Sequence, residues 1–465
     1  MTTPLPAAPS LEHLRKQAKD LVRARRDGPE PLRLSEAQLI VAREYGFASW
    51  PRLKAYVDRV SAHPGLTYAF VDDVGYYEER AEGLRSVVAS GLPRGAEIVR
   101  QYHPALADAS DEALRAISPA DARLVLAREH GFESWERFRR HVRALPESGE
   151  PFRRAFRAIE ARDRGALSDL LDRYPGLVSA RGTNGNDLLG LATSIACGRR
   201  DKALVSELLA RGADPSGGND RGWTPLHQAG YGNDLELARL LLEAGARTDL
   251  AAHGEGGTPL AAALFWGHAT TADFLAEREV TPANLRIAAG LGRRDLIDGF
   301  VLPGGGLSET AGQARAFYRP HTGFPPWQPA DDAQEILDEA LVWAAKSGRT
   351  DVLGRLVELG ADVDADPYRG TALTWAAVNG HVAAVGRLIE LGADVNRKAT
   401  FGGPDHGRGV TAIHLAAQNG QMAAVQALIA AGADPAIADD IYGGPAAGWA
   451  AQGGHQSIVA YLEAL

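Results

Sequence analysis

Cysteine is all but missing: Cys197 is the sole example in 465 residues. That excludes intrachain disulfides and any zinc or iron–sulfur site built from several thiolates. Cys197 itself falls on an apolar helical stretch with no base beside it in the sequence, which argues against a nucleophile. A basic surplus is missing too. Fifty Lys and Arg face 59 Asp and Glu, a net charge of −9, the wrong sign for a general nucleic-acid binder. No run of about 18 apolar residues is present to span a membrane. The opening Met1-Thr2-Thr3-Pro4-Leu5-Pro6 lacks the basic and apolar regions of a secretory signal. The expected setting is therefore soluble and cytoplasmic. Nucleotide and metal fingerprints are absent as well. Gly304-Gly305-Gly306 has no Lys-Ser/Thr after it, and no His-Glu-x-x-His occurs. Asp362-Val363-Asp364-Ala365-Asp366 imitates the start of a calcium loop, but Pro367 replaces the required Gly and Leu373 replaces the bidentate carboxylate. No cofactor and no metal are expected.

What is present is repetition. Leu11, Leu14, Ala18, Leu21 and Val22 recur at helical spacing among Arg15, Lys16, Lys19 and Arg23. Nearby Glu12, Asp20 and Asp27 favour a solvated face over a lipid or nucleic-acid contact. Leu39-Ile40-Val41-Ala42-Arg43-Glu44-Tyr45-Gly46-Phe47-Ala48-Ser49-Trp50 then returns as Leu124-Val125-Leu126-Ala127-Arg128-Glu129-His130-Gly131-Phe132-Glu133-Ser134-Trp135. Each copy predicts a helix, a left-handed Gly stop, an apolar Phe that folds back, and a Ser that caps the next helix. The aromatics serve either as the packing of that corner or as a recognition knob, and packing is the simpler reading. One helical module is assigned to 1–62 and a second copy, with a degenerate helix pair, to 63–150.

From 151 to 465 the period shortens to roughly 33 residues. Thr224-Pro225-Leu226-His227, Thr258-Pro259-Leu260, Thr371-Ala372-Leu373 and Thr411-Ala412-Ile413-His414 open helices. Gly212-Ala213-Asp214, Gly245-Ala246-Arg247, Gly360-Ala361-Asp362, Gly392-Ala393-Asp394 and Gly432-Ala433-Asp434 close helix pairs. The pattern is similar to the ankyrin repeat, and the Gly-Phe-x-Ser-Trp modules look like the helical module ahead of some bacterial ankyrin arrays. The resemblance implies an all-α solenoid whose helix pairs bury their apolar faces only by stacking. It also implies recognition on the concave side, by hairpin tips and first helices. His227 and His414 match the repeat's structural histidine; His268, His381 and His455 match the histidine after the helix-ending Gly.

In that frame the two residues before each helix-ending Gly face the groove: Tyr231 with Gly232, Phe265 with Trp266, Lys346 with Ser347, Val378 with Asn379, and Gln418 with Asn419. Trp343, Trp375 and Trp449 stand beside them, either packing between repeats or anchoring a partner. An insertion near 303–333 carries Phe317, Tyr318, Phe324 and Trp327, too many aromatics for a disordered linker. It is expected to lie ordered against the groove. Long hairpins add Tyr368, Arg369, His406, Arg408 and Tyr442 to one rim. The binding residues expected are Trp266, Tyr318, Trp327, Trp343, Lys346, Tyr368, Arg369, Trp375, Asn379, Arg408, Gln418, Asn419 and Tyr442. Two functions stay open. One is an interaction module holding a protein or peptide in the groove. The other is an enzyme or metabolite-binding protein with a pocket between the insertion and the C-terminal fingertips. There His321, His406, Asp331 and Asp332 would supply acid and base.

Overall fold

A computed structural model describes residues 11–25, 32–44, 49–51, 53–54, 57, 67–91, 93–147, 151–196, 202–278, 284–316, 329–367, 369–401 and 407–465. The chain divides into two compact units, Met1–Ala192 with Ala210–Ala213, and Thr193–Leu209 with Asp214–Leu465.

Two apolar cores of the first unit lie within residues 11–145. Helices Leu11–Ala24 and Leu34–Glu44 enclose a small one around Leu14, Ala18, Val41, Leu53 and Val57, with Trp50 packed on its side. The larger gathers Tyr77, Val99, Val125, Leu126, Phe138 and Val142. Ser118 opens the Pro119–Glu129 helix with a capping box closed by Asp121. Gly131 ends it at φ 80°, and the Phe132 amide donates back to the Ala127 carbonyl at 2.9 Å. Phe132 and Trp135 then lie against Phe138, with ring centroids 5.5 and 5.7 Å apart. In this copy the aromatics are the packing of a helix corner. Behind them His130 is buried, Nδ1 against the Leu126 carbonyl at 2.7 Å and Nε2 against the Thr183 hydroxyl at 2.9 Å. Thr67–Tyr68 pairs in parallel with Arg181–Gly182, one of two short ladders among the described residues.

The second unit is two rows of helices. The first row holds Pro225–Tyr231, Pro259–Phe265, Leu285–Gly290, Ala333–Lys346, Ala372–Val378, Ala412–Gln418 and Ala446–Gln452. The second holds Leu235–Glu243, Ala269–Ala276, Arg294–Gly299, Thr350–Glu358, Val382–Glu390, Met422–Ala430 and Gln456–Glu463. One apolar core runs from Leu285 to Leu462. It is the all-α stack that short amphipathic helix pairs require, since no single pair covers its own apolar face. Thr224, Thr258 and Thr371 cap first helices, and Pro225 and Pro259 sit where no N–H is needed. Gly392 turns the chain at φ 99°, a conformation a β-carbon disfavours.

Neighbouring repeats are tied by polar ladders. The Thr224 amide donates to His227 Nδ1 (3.2 Å), leaving Nε2 to donate to the Gly257 carbonyl of the next repeat at 2.7 Å. Burial pulls the pKa of that ring down to about 4, against the hydrogen bond to Gly257. Side-chain oxygens also hold the turn amides, Asp364 of the calcium-like run among them. Asp338, Asp364 and Asn396 accept the amides of Asp362, Asp394 and Asp434, at 2.8, 2.9 and 2.8 Å.

Candidate binding site

The sequence frame places Tyr231, Trp266, Lys346 and Asn379 along one line, and side chains do meet there. Trp223 and Tyr231 are edge-on with centroids 6.2 Å apart, Tyr231 and Trp266 are 5.5 Å apart, and Trp266 and Phe265 5.3 Å. Lys346 continues the line, its Nζ 4.4 Å from the Phe265 ring and 3.7 Å from the Trp375 ring. Trp375 meets Phe401 at 4.9 Å. An aromatic chain with a lysine in the middle thus crosses the first-helix row.

Lys346 is held by its backbone. Its carbonyl accepts from Asn379 Nδ2 at 2.8 Å and from His381 Nε2 at 2.9 Å. The same ladder recurs where His268 Nε2 meets the Tyr231 carbonyl and Gln421 Nε2 donates to the Val378 carbonyl. Gly267, at φ 76°, lies so close to the Lys346 carbonyl and the Asn379 amide that a β-carbon there would collide with both. Glycine is required at that contact.

Two expectations about exposure need correcting. Lys346 and Ser347 are buried rather than open to a groove, Lys346 at 1% exposure, because the Phe265 ring from two repeats back and the Trp375 ring of the following repeat close over it. Trp343 and Trp375 are likewise buried, at 1% and 5%. The helix Ala333–Lys346 is covered on every side from Ile336 onward. These residues form the floor of the row rather than its surface. Trp266 and Asn379 are half-buried, Gln418 is half-buried and Asn419 exposed.

Beneath the floor lies an ion cluster that the sequence reading missed. Arg286 Nη1 donates to Glu339 Oε1 at 3.2 Å, and its guanidinium lies 4.5 Å from the centre of the Trp343 ring. Arg315 donates to the other oxygen of Glu339 and to the Ala330 carbonyl, and through Nε to the Gly312 carbonyl at 3.0 Å. The Ala330 amide donates to Glu335 at 2.8 Å. All three central side chains are at most 2% exposed. Arg315 and Ala330 belong to the two ends of the insertion, so Arg315 ties the two ends together while Glu339 anchors Arg315 and Glu335 anchors Ala330 to the repeat helix. The available signal was the placing of Arg286 and Glu339 inside otherwise apolar helical runs.

Burial pushes the Lys346 pKa well below the ordinary lysine value. Arg369 and Arg286 push the same way, and Glu339 opposes them. Arg369 is a non-glycine at φ 64°, in a fingertip tied by the Gly370 amide to Asp366 (2.7 Å). Asp366 in turn accepts from the Thr400 amide and hydroxyl, each at 2.7 Å.

The other expected residues are spread out. Arg408 is exposed on the second short ladder, Ala399–Thr400 with Arg408–Val410. Tyr442 is 63% exposed, edge-on to buried Trp449 at 6.5 Å. Asp439 below it accepts from the amides of Ile441, Tyr442 and Gly444 and from Trp449 Nε1. Against the opposing effect of burial, these bonds bring its pKa to about 2. Tyr318, Trp327, Tyr368, His321 and His406 lie outside the described residues, as does the tip of the insertion. Asp331 is exposed, and Asp332 caps its helix by accepting the Gln334 amide at 3.3 Å. Among the described residues no group of His, Cys, Asp and Glu is placed to hold a metal ion, and no helix is long and apolar enough to cross a membrane.

Residues 193–285 and 328–399 match a family model described as ankyrin repeats in three copies. Residues 373–429 and 413–463 match one described as ankyrin repeats in many copies. The chain carries ankyrin repeats. The helix rows and the Thr-to-His ladder above are therefore ankyrin stacking. A curated mouse relative, "Protein fem-1 homolog A-like" of Mus musculus, is 30% identical over 118 residues, which is 25% of this chain and 16% of that protein. The match thus spans less than a fifth of that relative's length. Ankyrin repeats generally mediate protein–protein interaction, and the line from Trp223 to Phe401 runs through them.

Proposed function

We propose that this chain is an interaction module that takes a protein or peptide along its first-helix row and fingertips, with Trp266, Asn379, Gln418 and Asn419 in contact and Trp343, Lys346 and Trp375 as the floor. The observation that carries this reading is the aromatic line itself. Six aromatic side chains and one lysine touch in sequence across the array, passing over the Leu285–Gly290 repeat, and rigid aromatics at the centre of a contact face supply most of its energy. The Gly-Phe-x-Ser-Trp modules at 1–62 and 63–150 act as a packed helical scaffold ahead of the repeats.

A photo-crosslinking side chain at Asn419 samples this face, and one at Glu390, exposed on the second-helix row, samples the other. Capture of a partner from Asn419 alone is expected. Capture from Glu390 alone would move the interface and overturn the reading.

A further inference from the structure

A cleft of about 600 Å³ opens in the first compact unit, where the Pro151–Ala161 helix, the Leu145–Glu147 turn and the start of the Arg164–Arg173 helix come together. Clefts of about 300–1,000 Å³ with an apolar lining and a few polar groups are the usual form of small-molecule sites. The floor here is apolar: Leu145, Ala158 and Leu170 line it at 1%, 6% and 5% exposure. The wall carries Arg153, Arg154 and Arg157. Two of these are fixed and neutralised. Arg153 is buried, donates to the Phe70 carbonyl at 2.8 Å and pairs with Asp72 at 2.6 Å. Arg157 lies 3.5 Å from the same carboxylate and pairs with Glu160 at 2.6 Å. Burial works to raise the Asp72 pKa, but the two arginines bring it below the ordinary value, so Asp72 keeps its charge. Asp163, the other acid of the lining, caps the next helix by accepting the Ala166 amide at 2.9 Å, and the positive end of that helix offsets its charge. Arg154 is different. It is exposed on the wall and has no hydrogen-bond or ion-pair partner among the described residues. The cleft therefore combines an apolar floor with one uncompensated cation.

We propose that this cleft binds a small carboxylate with an apolar body, the carboxylate on Arg154 and the body over Leu145, Ala158 and Leu170. One surplus charge matches a monoanion, whereas a phosphate monoester brings nearly two. The guanidinium fork offers two parallel N–H donors to the two carboxylate oxygens. A free small acid and the C-terminus of a peptide present this same group, and the test separates them. Every lining residue lies in the first compact unit, so the proposal is independent of the groove reading.

The test is isothermal titration calorimetry of the full chain at low salt. The ligands are 2-naphthoate, its neutral counterpart 2-naphthylmethanol, 2-naphthyl phosphate, and the tripeptide acetyl-Ala-Leu-Phe as free acid and as amide. Saturable binding of naphthoate is expected, with naphthylmethanol about 3- to 10-fold weaker. Arg154→Met should weaken naphthoate by the same factor. Ala161→Trp fills the cleft from an exposed lining position and should abolish binding. Arg397→Met, exposed in the repeats, should change nothing. Circular dichroism melts confirm that each variant folds. Equal binding of naphthoate and naphthylmethanol, unchanged binding in Arg154→Met or Ala161→Trp, or no saturable binding would overturn the proposal. Tighter binding of the phosphate would overturn the choice of a monoanion. Tighter binding of the tripeptide acid than of naphthoate, lost in its amide, assigns the carboxylate to a chain terminus. The reverse order assigns it to a free small acid.

Discussion

Lys346 is buried at a cost, and that cost has a pH signature. Its pKa is depressed in the folded chain and near 10.4 when unfolded. Between those two values the unfolded state binds more protons, so this residue's contribution to stability rises with pH. Lys346→Met should therefore raise the melting temperature at neutral pH, with a gain that shrinks toward about pH 10. A lower melting temperature at neutral pH would show that the ammonium is satisfied in the free protein. Asp439 has the opposite sense. Its pKa of about 2 lies below that of an unfolded aspartate. Its contribution is full above about pH 4 and disappears as the pH falls toward about 2. Asp439→Asn keeps the shape but loses the charge under four donors, and should cost about 1–3 kcal/mol in urea unfolding. No loss would contradict the hydrogen-bond account.

At the scale of elements, repeats are joined through close backbone contacts and through the insertion's two ends. Gly267→Ala would drive a methyl group into the Lys346 carbonyl and the Asn379 amide. It should destabilise by several kcal/mol, well beyond the about 1 kcal/mol cost of placing Ala at positive φ. A cost no larger than that would mean that the contact is soft. Arg315→Met removes one partner of a buried ion cluster, a change worth about 3–5 kcal/mol. The expected readout is faster amide hydrogen exchange over residues 309–316 while residues 412–463 stay protected. Unchanged exchange at 309–316 would place the anchor elsewhere. These elements also mark what the sequence disclosed. Thr, Pro and Gly at fixed spacing disclosed each helix start and stop because capping chemistry is local. The line of residues at Tyr231, Trp266, Lys346 and Asn379 followed from the repeat period. Burial of Lys346 and Trp375 did not, since it depends on rings about 80 and 30 residues away along the chain. Arg315 was unreadable because its partner Glu339 lies beyond the insertion, where no period applies.

At the scale of the whole molecule, the ankyrin repeats offer two long faces, and the account assigns recognition to one of them. Amide hydrogen exchange of the full chain with and without the partner captured from Asn419 compares both faces at once. The account predicts new protection at the ends of first helices, over 231–233, 265–267, 346–348, 378–380 and 418–420. Protection confined to the second helices, over 350–358, 382–390 and 422–430, would contradict it.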